Sequence, residues 1–223
     1  MKILLISSNI AETPYAVYPL GMSMVASALE QDGHQIFLFD FLQQGQSLDA
    51  VRTVVRRTQP ELVGISIRNI DNVNLLNEQR YIDAVREIVR VIREETDVKI
   101  VLGGSGFSVM PAPVLASVGA DYGVVGEGER LFRRFVSEAA RGRYPTDRIL
   151  YASPELVGAE IPSAHYDDEI LAYYVKSGHL AALLGTTGGG AQFDVGSNLD
   201  VSSRVAAVID FFGILNDDRI RRY

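Results

Sequence analysis

Short apolar runs alternate with segments of helical spacing along most of the chain. Residues 2–8 (KILLISS), 34–41 (HQIFLFDF), 61–67 (ELVGISI) and 98–104 (VKIVLGG) read as strands, and 120–129 (ADYGVVGEGE) carries a fifth. Each is short, nearly continuous in apolar side chains and bounded by polar or turn residues. Between them, Met22, Val25, Ala26 and Leu29 recur at helical spacing, and Gly33 supplies the stop. A second helix over 48–59 ends before Pro60. Residues 81–96 set Ile82, Val85, Ile88, Val89 and Ile92 on one stripe. A short helix over 112–119 begins close to a proline, and a last one over 129–142 closes the series.

Strands without polar alternation need cover on both faces, so this order predicts an α/β fold with a parallel sheet between two helical layers. Five such units fit a flavodoxin-like (Rossmann-like) five-stranded sheet in the order 2-1-3-4-5. In such sheets ligands bind beyond the carboxyl ends of the strands. The residues to weigh are therefore Ser7, Ser8 and Asn9, Asp40, the stretch 66–69, the stretch 103–108 and the stretch 126–129. After about residue 143 the alternation fades. Residues 144–223 read as a linker with short elements and a C-terminal extension, beyond a first domain of residues 1–143.

Composition narrows the function. The 223 residues carry a formal net charge of −7, which argues against a nucleic-acid partner because phosphate binding wants a basic face. With no cysteine, the chain offers no thiolate to a metal or an iron–sulfur cluster, and no thiol nucleophile. The start, MKILLISSN, lacks the features of a signal peptide, and no apolar run approaches the roughly 20 residues that span a bilayer. A cytoplasmic protein without a membrane partner is the expectation. His34, His165 and His179 form no cluster in the sequence, so no metal site is expected.

The strand-end loops hold the candidate chemistry. Gly103, Gly104 and Gly106 let a backbone approach a flat or bulky ligand closely, and Phe107 could stack on it or fill the core. Gly126 and Gly128 flank Glu127, which is expected to project from the top edge. Glu129 is accounted for by the favourable position of a carboxylate at a helix start. Ser66 ends the third strand, with Arg68 and Asn69 beyond it; the arginine suits a phosphate or carboxylate. Tyr18, Pro19, Leu20 and Gly21 open the first helix, where proline is well placed.

In order, YPLGMSMVASALEQDGHQIFLFD, PELVGISI, IVLGGSGFSVMP and ADYGVVGEGE resemble the cobalamin-binding domain of cobalamin-dependent radical SAM enzymes over residues 1 to about 142. The resemblance implies cobalamin on the carboxyl edge of the sheet. Its nucleotide tail would run beside Gly103 and Gly104, and its corrin ring would lie over the loop after Ser8 and near Tyr18 to Gly21. A bulky residue at Gly104 is then expected to block the tail. The Asp-x-His-x-x-Gly motif of the other cobalamin family is absent, so cobalt is expected to lack a histidine ligand from this domain.

In the radical SAM branch a cysteine loop holding a [4Fe–4S] cluster follows the linker. Here LLGTTGGGAQFDVGSN stands in that place, and the three cysteine positions align with Ala191, Val195 and Asn198. The expectation is a degenerate cluster loop, a truncated barrel start, and a cobalamin protein with a non-radical role as carrier, partner or biosynthetic component. Two alternatives stay open. One is a cofactor-free enzyme that turns the strand-end cleft to a small organic substrate, with Glu127, Arg68, Tyr18 or His165 as working groups. The other is a non-catalytic interaction module, in which the tail helix packs on a partner or in a homodimer. A nucleotide or flavin binder is disfavoured, since the first strand ends in SSN with no phosphate loop.

Overall fold

The computed structural model describes residues 1–12, 16–72, 78–152 and 163–176. Two compact units divide the chain. The first comprises Met1–Ala11 and Pro19–Asp167, and the second Glu12–Tyr18 and Asp168–Tyr223.

The first unit is a wholly parallel sheet in the order β2-β1-β3-β4-β5-β6. Its strands are β1 (Lys2–Ser7), β2 (Gln35–Asp40), β3 (Leu62–Ser66), β4 (Lys99–Gly103), β5 (Tyr122–Val125) and β6 (Ile149–Tyr151). The expected order is observed, with one correction: the sheet has six strands, not five. The sixth, ILY, lies in the stretch read as linker. At three residues, with only partial burial, it is too short for its apolar pattern to stand out. Its pairing with β5, Gly123 to Ile149 through Val125 to Tyr151, is what defines it.

Helices α1 (Leu20–Gln31), α2 (Leu48–Thr58), α3 (Tyr81–Glu95), α4 (Ser105–Val109), α5 (Pro111–Val118) and α6 (Gly128–Ala139) cover the sheet. Alternation along the strands sorts the core into two layers. Leu4 and Ile6 of β1 face a cluster with Val51, Val55, Val85, Ile88, Ile92 and Phe107, formed with α2, α3, α4 and α5. Ile3 and Leu5 face the other cluster, with Met22, Ala26, Leu29, Phe132, Phe135 and Val136 of α1 and α6.

Local chemistry sets the element ends. The Ser47 hydroxyl accepts from the Ala50 N–H at 3.1 Å and caps α2. Arg52 and Arg56 of α2 reach Glu95 of α3 at 3.1 and 2.6 Å, a surface pairing that steers helix packing more than it stabilises. Asp121, ahead of β5, accepts from the Ile100 N–H at 2.9 Å and from Lys99 Nζ at 3.1 Å, and pairs with Arg93. Burial pushes its carboxyl up, but the Ile100 N–H, Arg93 and Lys99 together hold it below the ordinary value.

In the second unit, the described part is helix α7 (Asp168–Lys176) with the short stretch that carries Tyr18. Tyr18 and Tyr174 meet edge to face, ring centres 5.7 Å apart. Residues 177–223, which include the loop aligned at Ala191, Val195 and Asn198, lie outside the described residues. No helix among the described residues is long and apolar enough to cross a membrane.

Candidate functional site

A cavity of about 180 Å³ lies between α1, α6 and the carboxyl halves of β1, β3, β4 and β5. Its depth is apolar, walled by Leu5, Ile65, Val101, Leu102, Val124 and Phe132, with Met22 and Val25 from α1. Its mouth is made by Gly21, Ser66, Gly103, Gly104, Gly126, Glu127, Gly128 and Glu129. Binding pockets for whole drug-sized ligands run from about 300 Å³ upward. This one is smaller, with room for one flat group.

Missing side chains make the space. A Cβ at Gly21 would meet nothing within 4 Å, and one at Gly103 would meet only the Val124 carbonyl at 3.9 Å. Both positions are open toward the cleft. Gly104 is different. Its φ is +94°, and a Cβ there would lie 2.5 Å from the Ile67 carbonyl oxygen. Glycine at 104 is thus required by the loop itself, and a bulky residue there would deform the backbone before any ligand arrived. The block expected of such a variant would not isolate the tail.

The loops after β3 and β4 are stitched together. The Ile67 N–H donates to Gly103 O at 2.8 Å, and the Gly106 N–H donates to Ile67 O at 2.9 Å. The Ser105 hydroxyl donates to Arg68 O at 2.9 Å. Gly106 sits so close that a Cβ would be 2.9 Å from Arg68 O. These contacts place Gly106 and the main chain of Arg68 and Asn69 behind the rim rather than in the cavity wall.

Of the residues expected at the site, Gly21, Ser66, Gly103, Gly104, Gly126, Glu127 and Gly128 line this cavity. The Ser8 hydroxyl is occupied, donating to Ser66 O at 2.9 Å, and Ser8 is buried. Asn9 is closed on itself, its side chain exchanging hydrogen bonds with the Ala11 N–H and carbonyl at 3.2 and 3.3 Å. Pro19 precedes α1 and Leu20 begins it, neither in the wall. Tyr18 belongs to the second unit.

Of the two readings of Phe107, stacking on a ligand or filling the core, the structure shows the second. Phe107 is 0% exposed, and its ring fills the place where Gly123 lacks a side chain: a Cβ at Gly123 would be 2.0 Å from the ring. The stretch GGSGFSVMP is likewise not a plain loop, because α4 runs through it and turns Phe107 into the α3/α5 layer.

Both carboxylates line the cavity. Glu127 is the residue that precedes α6, exposed and without a side-chain capping bond. Glu129 lines the cavity, and its Oε2 is buried with no hydrogen-bond partner among the described residues. Sequence reasoning gave Glu129 to the helix dipole and missed it as a site residue. It also missed the apolar wall and Gly64, where a Cβ would press on Leu5 at 2.8 Å and Phe132 at 3.3 Å. A glycine inside an apolar strand was the available signal.

Among the described residues no group of histidines and carboxylates could hold a metal ion. His34 contacts the amino terminus at 3.3 Å, at the opposite edge of the sheet; burial, then the nearby terminal ammonium, lowers its pKa. The His165 ring is held by Glu30 at 2.9 Å in the last turn of α1, the end away from the mouth.

Residues 6–136 match the B12 binding domain family. A tryptophan 2-C-methyltransferase from Streptomyces laurentii is 32% identical over 146 residues, which cover 65% of this chain and 24% of that protein. Among solved structures, the radical S-adenosylmethionine methyltransferase TsrM from Kitasatospora setae, with tryptophan and a SAM analogue bound, is 29% identical with a TM-score of 0.60. The match covers 64% of this chain and 26% of TsrM. A second TsrM structure, with cobalamin and a [4Fe-4S] cluster bound, matches equally well over 25% of its length. The cobalamin-dependent radical enzyme OxsB, with aqua-cobalamin bound, is 18% identical with a TM-score of 0.57 over 77% of this chain and 25% of OxsB, a likeness of fold. The chain spans about a quarter of the length of these relatives.

Proposed function

From the chain's membership of the B12 binding domain family, we propose that it holds cobalamin with the nucleotide tail in the α1/α6 cavity and the corrin over the glycine mouth. The observation that carries this reading is the cavity itself: apolar in depth, open at Gly21 and Gly103, and sized for one flat group. A dimethylbenzimidazole base is such a group, and the remainder of a corrinoid is far too large to follow it. Gly103, Gly126 and Gly128 would let the tail pass close to backbone, and Ser66 would offer a hydroxyl at the rim. The chain lacks the Asp-x-His-x-x-Gly motif, so cobalt would sit without a histidine from this domain.

Bound cobalamin supplies a cobalt centre that accepts and hands on a methyl group. The chain's own residues would orient that cofactor and exclude water from its tail. With no cysteine in its 223 residues, the chain would do so without holding an iron–sulfur cluster, in a non-radical biosynthetic role as carrier or partner. A second protein or a second copy of the chain would then present the small organic substrate. A cytoplasmic location, with neither membrane nor nucleic acid as partner, accords with the acidic composition.

The test is a visible absorption spectrum after incubation with hydroxocobalamin and desalting. Corrin bands retained at close to one equivalent are the expected result. A colourless protein would overturn the reading and turn attention to a cofactor-free enzyme acting in the same cleft.

A further inference from the structure

Glu129 carries a hydrogen-bonding capacity that no described residue uses. Its Oε2 is buried, has no partner among the described residues, and belongs to a side chain that lines the cavity. A buried polar atom without a partner is destabilising, so its presence calls for an explanation. The start of α6 offers one in part, since a carboxylate in the first turn is favoured by the helix dipole. The dipole favours the charge wherever the side chain points. It does not explain why one oxygen is shut away from both water and donors.

The position within the cavity is informative. Glu129 and Phe132 are three residues apart on one face of α6. Phe132 belongs to the apolar depth together with Leu5 and Val101, whereas Glu129 stands one turn nearer the mouth, beside Gly128. A ligand that inserts a flat base among Leu5, Val101 and Phe132 must place the atoms that follow the base next to Glu129. In a cobalamin nucleotide those atoms are a ribose with free hydroxyl groups. The carboxylate accepts only, and a ribose hydroxyl donates. Glu127, the other acidic residue in the wall, is exposed and can be satisfied by water.

We infer that Glu129 is a specificity-determining residue that accepts a hydrogen bond from a sugar hydroxyl of the ligand's nucleotide, so that the cleft selects complete cobamides over corrinoids lacking the nucleotide. This rests on the proposed cobalamin reading and adds to it a residue and a selectivity.

The experiment measures binding of hydroxocobalamin and of diaquacobinamide, which lacks the nucleotide, by visible titration of wild-type protein and of Glu129→Leu and Glu129→Gln. Thermal unfolding of each protein without ligand is followed in parallel. Wild type is expected to prefer hydroxocobalamin. Glu129→Leu should weaken hydroxocobalamin roughly 10- to 100-fold, the range for a hydrogen bond to a charged group. It should leave cobinamide within about twofold. The same variant should unfold about 2–4 °C higher when free, because an unsatisfied buried oxygen has been removed. Glu129→Gln keeps an acceptor and should stay within about threefold of wild type, given the modest worth of a neutral hydrogen bond.

Equal losses for both corrinoids, no loss for either, or a lower unfolding temperature in Glu129→Leu would each overturn the inference. Equal wild-type affinity for the two corrinoids would also overturn it, while leaving corrin binding in place. Binding of neither by the wild type would overturn the cobalamin reading itself, and the inference with it.

Discussion

The two faces of the sheet are built from the same strands and solve opposite problems. On the α2/α3/α5 face, branched side chains and Phe107 pack into one buried cluster, and Gly123 is small because a ring already occupies its space. On the α1/α6 face, Gly21 is small with nothing beside it, and Gly103 with only the Val124 carbonyl at van der Waals distance. The same residue type therefore means a filled place at Gly123, and at Gly64 against Leu5 and Phe132, and an open one at Gly21 and Gly103. The lesson is that a glycine marks a binding site only when the volume it vacates stays empty.

Substitutions can break this contrast in a graded way. The largest effect is expected from Phe107→Ala, which opens a void in the closed layer and should destabilise the fold by about 3–5 kcal/mol in denaturant unfolding. A ligand-stacking role would instead predict lost affinity with little change in stability. Next comes Gly103→Val, at a position where an added Cβ meets only the Val124 carbonyl, at an ordinary van der Waals distance, and the cavity lies beside it. Hydroxocobalamin affinity should fall at least about tenfold while stability changes by less than about 1 kcal/mol, a surface-like substitution in a strand. An unchanged affinity would remove the tail from the cleft.

A smaller effect is expected at Asp121, at the edge of the closed layer. Its carboxyl is held below the ordinary value when folded, so the unfolded chain takes up the proton first. Its contribution is complete above the unfolded carboxylate pKa, declines as pH falls, and is gone below the folded pKa. Asp121→Asn should lose about 1 kcal/mol at neutral pH. Its unfolding free energy should also depend less on pH on the acid side than that of the wild type. The smallest effect is expected from Gly21→Ala, in the first turn of α1 with free space around it. Better helix propensity should raise stability by up to about 1 kcal/mol, read from the unfolding midpoint.

The layered architecture was legible because its signals repeat. Strands buried on both faces are apolar throughout, and α3 presents an unbroken stripe from Ile82 to Ile92. What escaped was short or depended on distant partners. Strand β6 exists through its pairing with β5, and nothing in ILY distinguishes it from a loop. Helix α4 exists because Phe107 has a place in the α3/α5 layer, a place made by a glycine 16 residues further on. The candidate site divides the same way. Glycines at strand ends announced the mouth, but the wall came from Leu5, Val101 and Phe132, which read as ordinary core. Glu127 lines the mouth as expected, whereas the burial of one Glu129 oxygen depends on how the first turn of α6 packs, which a helix-start signal does not carry.

The stitched rim has a kinetic meaning. Because Ile67 is joined main chain to main chain with Gly103 and Gly106, and Arg68 O already accepts from the Ser105 hydroxyl, the loops that back the mouth have little ordering left to do when a ligand arrives. Capture then needs no preceding rearrangement of these loops. Observed association rates should rise linearly with corrinoid concentration in a single phase, with no plateau from a slow opening step. Differences in affinity among variants of the cleft should accordingly reside in how fast the ligand leaves.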